Sequence, residues 1–168
     1  MYRMVLRLDV GARAEDARLK NIDGKDVSLS DYLGKSNLVM IFFLGGFDMH
    51  SMRSLRAFTD KYPDITGLGA DVIAITPELP GKVKTIAENL KPPFTLLSDP
   101  ELNSVKKYDV YNPTTNWTWP AAFIFDKDGV IQYSYRGASP PNVPELDYIM
   151  LKLKQMANPK EAGTKPQK

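Results

Sequence analysis

The chain contains no cysteine among its 168 residues. This absence excludes disulfide bonds, thiolate metal sites and catalysis by a thiol. It also removes the usual redox argument about the compartment in which the protein works. His50 is the single histidine, and no spaced cluster of metal-ligating residues accompanies it, so neither a metal site nor a cofactor is expected.

Long apolar runs and excess charge are also missing. No run of about 18 apolar residues occurs, so no membrane-spanning helix is expected. The formal net charge of +2 is too small to indicate a nucleic-acid partner. The segment from Met1 to Gly11 has Arg3 and Arg7 inside a short apolar stretch and does not resemble a secretory signal. A cytoplasmic location is therefore the expectation.

The length and the hydrophobic content of 43% are typical of one globular domain. We expect that domain to cover residues 1–156. Residues 157–168 contain Pro, Gly and Lys without an apolar pattern, which predicts a disordered tail.

The stretch from Leu38 to Phe58 organises the rest of the chain. Its apolar run, Leu38–Leu44, is typical of a strand that is buried on both faces of a sheet. After two glycines, Asp48 is a candidate N-cap for a helix whose buried face is predicted to carry Met49, Met52, Leu55 and Phe58. This arrangement places the helix start at the carboxyl edge of the sheet, where active sites are commonly built.

The remaining pattern predicts a mixed α/β fold. Asp23-Gly24 between alternating segments predicts a hairpin over Ala17–Leu29, and Asp126–Gly129 predicts a second one. The first two sheet strands should be parallel, because a helix connects them. Predicted strands are Met1–Leu8 (a short edge strand), Leu38–Leu44, Asp71–Thr76, Phe94–Leu97, Ala121–Phe125 and Val130–Tyr135; predicted helices start at Asp48, Pro80 and Pro144, with a helical turn after Ser98; predicted loops are Pro63–Gly69 and Tyr111–Trp119.

Several short segments carry a resemblance to a known family: Ser30–Lys35, Phe42–Arg56, Ala74–Glu78, Phe94–Asp99 and Pro120–Gly129. From about Gly11 to Met156 the chain resembles the peroxiredoxin-like branch of the alkyl hydroperoxide reductase/thiol-specific antioxidant family. The resemblance implies a thioredoxin-like fold, with a mixed central sheet flanked by helices and an N-terminal β-hairpin extension. It also implies a cis peptide bond before Pro120, opposite the helix start.

The family's two motif cysteines fall on Asp48 and Ser51. A serine hydroxyl cannot form the sulfenic acid that peroxide reduction produces, so Ser51 is not expected to work as a peroxide nucleophile. Asp48 is expected to act as a helix cap, and a carboxylate acting as acid, base or ligand is the alternative. By resemblance Arg56 is the candidate for the arginine that polarises peroxide, and Arg53 and Arg136 are further candidates. The arginine that family members carry before the last helix falls near Asn142-Val143 and is absent.

A pocket is expected around the helix start, lined by Phe47, His50, Trp119 and Pro120. Tyr111, Trp117 and Trp119 lie in the segment before Pro120, where they would line an apolar pocket, anchor a partner or cover the edge of the core. The expected occupant of this Asp48/Pro120 pocket is a small polar ligand or a protein partner. A homodimer is among the assemblies that the sequence allows.

Three hypotheses about function follow. The first is a peroxiredoxin-like domain without thiol peroxidase activity that serves as a binding or interaction module. The second is a non-thiol enzyme or small-ligand binder that uses Asp48 with Arg56 or His50. The third is an engineered cysteine-less variant of an active peroxidase, against which Asp48 argues. If the scaffold still suits the family's chemistry, Ser51→Cys should yield a thiol with a pKa below about 8.5 near Arg56.

Overall fold

The computed structural model describes residues 7–159, so most of the predicted edge strand Met1–Leu8 and of the predicted tail 157–168 lies outside the described residues. The chain forms the predicted mixed α/β fold. The strands are β1 (Arg18–Lys20), β2 (Asp26–Ser28), β3 (Asn37–Phe42), β4 (Ala70–Thr76), β5 (Thr95–Ser98), β6 (Tyr111–Asn112), β7 (Trp117–Thr118), β8 (Ala121–Phe125) and β9 (Ile131–Arg136). The helices are α1 (Met49–Gly67), α2 (Pro80–Leu90), α3 (Asn103–Lys107) and α4 (Leu146–Ala157), with a 3₁₀ turn over Leu29–Tyr32.

Seven strands form the central sheet in the order β2-β1-β5-β4-β3-β8-β9. Strand β3 lies inside the sheet, parallel to β4 and antiparallel to β8, and β8 and β9 form an antiparallel hairpin. These relations confirm the predicted topology. The β1–β2 hairpin extends the sheet through one antiparallel contact of β1 with β5.

Alternation along β3 divides the core between the two faces of the sheet. Met40 and Phe42 point to the face that is covered by α3 and the 3₁₀ turn, where they pack with Tyr108 and Phe123. Val39 and Ile41 point to the other face and pack in one cluster with side chains of α1, α2 and α4. Helix α1 therefore starts directly beyond the carboxyl end of a strand that is buried on both faces.

Three local predictions were wrong. Helix α1 continues through Pro63 to Gly67 instead of ending at Pro63. Pro63 is exposed, so water can satisfy the carbonyl that loses its helical donor, while buried Ile65 anchors the last turns. Met49 was predicted to lie on the buried face of α1, but it is 64% exposed. Ser51 is buried instead, together with Leu55 and Phe58. The segment Tyr111–Trp119 is not all loop, because β6 and β7 pair within it.

The predicted cis bond before Pro120 is also absent, since residues 7–159 contain no cis peptide. The backbone around Pro120 makes sheet-like hydrogen bonds on both sides. Trp119 N–H donates to the Val110 carbonyl at 2.7 Å, and Gly137 N–H donates to the Pro120 carbonyl at 2.7 Å. The chain thus passes in an extended form from β7 into β8, and no tight turn there requires a cis bond.

Candidate functional site

Asp48 caps helix α1, as the sequence predicts. Its backbone is extended, and its Oδ2 accepts a hydrogen bond from the Ser51 backbone N–H at 2.9 Å. The carboxylate thereby satisfies one of the free donors of the first turn and lies at the positive end of the helix dipole.

The Ser51 hydroxyl is hydrogen-bonded inside the protein both as a donor and as an acceptor. Its Oγ donates to Asp48 Oδ2 at 2.8 Å and accepts from the Leu44 backbone N–H at 3.0 Å. Ser51 is only 1% exposed. A reactant therefore cannot reach this oxygen from solvent, and the hydroxyl hydrogen is already donated to Asp48.

The Leu44 carbonyl holds two side chains beside the loop that leads into α1. It accepts hydrogen bonds from Trp117 Nε1 at 2.8 Å and from Thr76 Oγ1 at 3.2 Å. Phe47 packs edge-on against Trp117, with 6.4 Å between the ring centroids. One tryptophan of the β6–β7 segment is thus held in place by the loop that leads into α1.

An open cleft of about 370 Å³ lies between these aromatic side chains. We call it the aromatic cleft; it is lined by Leu44, Phe47, Asn112, Thr115, Trp117, Thr118, Trp119 and Pro140. Of the expected pocket residues, Phe47 and Trp119 line it, whereas Asp48, His50 and Pro120 are not among its described lining residues. The cleft found by the structure is more apolar than the expected Asp48/Pro120 pocket.

The candidate basic residues lie in separate places. Arg56 lines a groove between α1 and α2, and His50 lies with Arg53 in a third cleft, beside Pro141 and Val143. Neither the groove nor the third cleft includes Asp48 among its lining residues. Arg56 and His50 therefore line separate clefts, and Asp48 lines neither of them.

Arg136 has a structural position. Its guanidinium donates to the carbonyls of Leu8, Tyr108 and Asp109 and lies over the Phe123 ring. The side chain is 12% exposed, and burial lowers its pKa from the ordinary value. Through these hydrogen bonds Arg136 holds the segment around Leu8 against the end of α3.

Glu78 is the residue at this edge that the sequence analysis missed. Its Oε1 accepts a hydrogen bond from the Gly46 backbone N–H at 2.8 Å. Gly45 has a φ of +143°, and a Cβ there would lie 2.6 Å from Glu78 Oε1. The signal was available, because Glu78 follows β4 and the carboxyl ends of parallel β3 and β4 meet at one edge.

Within residues 7–159, no group of three or more His, Asp or Glu side chains is placed to hold a metal ion. No helix in that part of the chain combines the length and the apolar composition that crossing a bilayer requires.

The Asp48 cap is expected to contribute to the stability of the fold. Asp48→Ala should lower the free energy of unfolding by about 2 kcal/mol, because the first turn loses its cap and the buried Ser51 hydroxyl loses its acceptor. Asp48→Asn keeps an acceptor oxygen and should cost less than about 1 kcal/mol. Urea denaturation measures both. Asp60→Ala, at an exposed site of the same helix, is the control with an expected change within about 0.5 kcal/mol. Equal effects of Asp48→Ala and Asp60→Ala would show that the cap contributes nothing.

The fold is thioredoxin-like, and solved structures of peroxiredoxins share it. The AhpC of Enterococcus faecalis superposes with a TM-score of 0.81 at 18% identity, covering 97% of this chain and all of that one (100%). Peroxidoxin BcpB of Mycobacterium tuberculosis gives a TM-score of 0.79 at 18% identity, over 89% of this chain and 99% of that one. At 18% identity, these superpositions show a shared fold and nothing beyond it.

The sequence carries the relationship further. The model of the AhpC/TSA family matches residues 10–134, and the chain belongs to that family. It is 34% identical over 137 residues to the chloroplastic peroxiredoxin Q of wheat, Triticum aestivum. That match covers 80% of this chain and 62% of the wheat protein, so the chain spans less than two thirds of this relative's length.

Proposed function

We propose that this member of the AhpC/TSA family has no thiol peroxidase activity and acts as a binding module, with the aromatic cleft as its ligand site. The carrying observation is the state of Ser51. By resemblance Ser51 occupies the position of the family's nucleophile, and it presents a buried hydroxyl that donates to Asp48 and accepts from Leu44, in a chain without cysteine. Peroxide consumption with dithiothreitol as reductant tests the loss of activity directly.

The chemistry of the aromatic cleft indicates the class of ligand. Three of its lining side chains are aromatic, and its polar lining residues, Asn112, Thr115 and Thr118, are uncharged. A volume of about 370 Å³ lies within the range of small-molecule sites, which are commonly about 300–1,000 Å³. The ligand that fits best is an uncharged, flat apolar molecule with one or two hydrogen-bonding groups. This is less polar than the ligand expected from the sequence.

The chain contains two tryptophans, and both line the aromatic cleft, so intrinsic fluorescence reports its occupancy. We expect 2-naphthol to change the fluorescence saturably, and Phe47→Ala to weaken binding about ten-fold because one aromatic wall is lost. Met49→Ala is the matched control. Met49 is 64% exposed and Phe47 is 68% exposed, but Met49 does not line the cleft.

Two outcomes would count against this site. One is a fluorescence response that does not saturate up to about 1 mM 2-naphthol. The other is equal weakening by Phe47→Ala and Met49→Ala. A cytoplasmic location and a homodimer also stand as proposals, and imaging of the tagged chain and its sedimentation behaviour test them.

A further inference from the structure

A second concave surface lies between α1 and α2 and has a different chemical character. We call it the α1–α2 groove; it encloses about 620 Å³ and is lined by Gly46, Phe47, Met52, Arg56, Glu78, Lys82, Thr85, Ile86, Asn89 and Leu90. It shares only Phe47 with the aromatic cleft. The tryptophans line the cleft and not the groove, so binding to the two surfaces can be distinguished.

The groove is lined by more positive than negative side chains. Arg56, from α1, and Lys82, from α2, are both exposed, and within residues 7–159 neither joins an ion pair closer than 4.0 Å. Glu78 is the one carboxylate in the lining, and its Oε1 already accepts the Gly46 N–H. The two cations therefore leave the groove with an excess of positive charge that a ligand can neutralise.

Apolar side chains line the same groove as the two cations. Ile86 is buried, Met52 and Leu90 are half-buried, and all three line the groove. Thr85 and Asn89 add uncharged hydrogen-bonding groups along α2. A ligand that satisfies both parts of this surface needs an apolar body and an anionic group, because apolar contact drives burial while the cations select the charge.

We propose that the α1–α2 groove binds a small organic anion that carries an apolar ring or a short acyl chain. The groove volume is within the range of small-molecule sites. The anionic group lies between Arg56 and Lys82, and the apolar body lies on Met52 and Ile86. This site is separate from the aromatic cleft, and it does not depend on the ligand proposed for that cleft.

Two pairs of probes test the proposal on the full chain. Octanoate and octanamide share an acyl chain, and 1-naphthoate and 1-naphthamide share a ring system. Each pair keeps the same shape, and the amide replaces the anionic oxygen by a neutral NH2 group. We expect at least one acid to bind saturably and its amide to bind more weakly. Binding should shift the backbone amide NMR signals of Met52 and Ile86 and leave the tryptophan indole signals unchanged. Which acid binds better distinguishes an acyl from an aromatic ligand.

Charge-removing variants identify the site. Arg56→Gln and Lys82→Gln should each weaken binding of the acid about five-fold, because each removes one favourable charge contact at an exposed surface. The double variant should weaken binding more than either single change. Arg53→Gln is the matched control: it makes the same change three residues earlier on α1, at an exposed arginine that lines a different cleft. Affinity for the acid should be unchanged in that variant.

Any of three results would overturn the proposal. They are the absence of saturable binding by both acids up to about 10 mM, equal affinity for each acid and its amide, and equal weakening by Arg56→Gln and Arg53→Gln. Shifts confined to the indole signals would assign the binding to the aromatic cleft instead. All three positions are exposed, so circular dichroism should show an unchanged fold in each variant.

Discussion

Wild-type protein is expected to consume hydrogen peroxide and alkyl hydroperoxides no faster than thioredoxin, glutathione or dithiothreitol does alone, and Ser51→Cys is not expected to restore turnover. The first result follows from composition, because no side chain in a cysteine-free chain forms a sulfenic acid that a thiol can reduce. Methionine oxidation does not substitute for this chemistry, since the sulfoxide requires a dedicated reductase.

The second result follows from the position of Asp48. The hydroxyl that a thiol would replace lies 2.8 Å from Asp48 Oδ2. A thiolate at this position would face a carboxylate, and like charges at such a distance raise the pKa of the weaker acid. The start of α1 favours an anion through a partial charge of about half a unit, which is smaller than the full charge of the carboxylate.

The pKa of the introduced thiol is therefore expected above the ordinary value of about 8.5. The structure thus reverses the direction expected from the sequence, where the resemblance gave Arg56 a place beside residue 51. Arg56 lines the α1–α2 groove, and the Ser51 hydroxyl bonds to Asp48 and Leu44 instead.

Iodoacetamide reactivity measured against pH gives the pKa of the thiol in each variant. The double variant Asp48→Asn with Ser51→Cys should have a thiol pKa at least about one unit lower than Ser51→Cys alone, because it keeps the side-chain shape and removes the charge. Asp48→Cys with Ser51→Cys removes the same charge and should be the most family-like of the three. Ser54→Cys, one turn further along α1, supplies a reference thiol on the same helix. A pKa below about 8.5 in Ser51→Cys alone would contradict the argument, and thiol-dependent turnover by the wild type would refute the inactive assignment.

Local sequence patterns predicted the elements that lead to this site. The apolar run Leu38–Leu44 needs burial on both sides wherever it lies, so its place inside the sheet follows from composition. The cap at Asp48 follows from side-chain chemistry within one helical turn, and the structure contains it. Both predictions depend on neighbours in the sequence, which explains their success.

The contacts that define the candidate sites join distant parts of the chain. Trp117 bonds to Leu44, and Glu78 bonds to Gly46, so each contact depends on how strands far apart in sequence end at one edge. Arg56 was assigned to the helix start by resemblance alone, and helical geometry turned its side chain toward α2. The prediction of a loop over Tyr111–Trp119 was wrong for a similar reason, because the β6–β7 pair and the neighbouring backbone hydrogen bonds determine the path of the chain there.

Asp99→Ala is expected to cause the largest loss of stability among the single changes considered, about 3–5 kcal/mol in the free energy of unfolding. Asp99 is 1% exposed. Its Oδ1 accepts from Asn103 N–H at 2.8 Å, and its Oδ2 accepts from the N–H groups of Ser104 and Val105 at 2.9 and 3.1 Å and from Ser104 Oγ at 2.6 Å. Alanine would leave four donors at the start of α3 without an acceptor, in a part of the protein that water reaches poorly.

The matched control is Asp16→Ala. Asp16 also accepts several hydrogen bonds, from the N–H groups of Ala17 and Ser30 and from the Ser30 hydroxyl, but it is exposed, so water can replace the carboxylate. Its loss should be about 1 kcal/mol. Urea denaturation followed by circular dichroism measures both variants. Tryptophan fluorescence should report loosening of the aromatic cleft in Asp99→Ala at lower urea, because α3 leads directly into the β6–β7 segment that carries Trp117. Equal losses for the two variants would show that burial does not determine the contribution of Asp99. An unchanged tryptophan signal would show that the loss of Asp99 does not loosen the aromatic cleft.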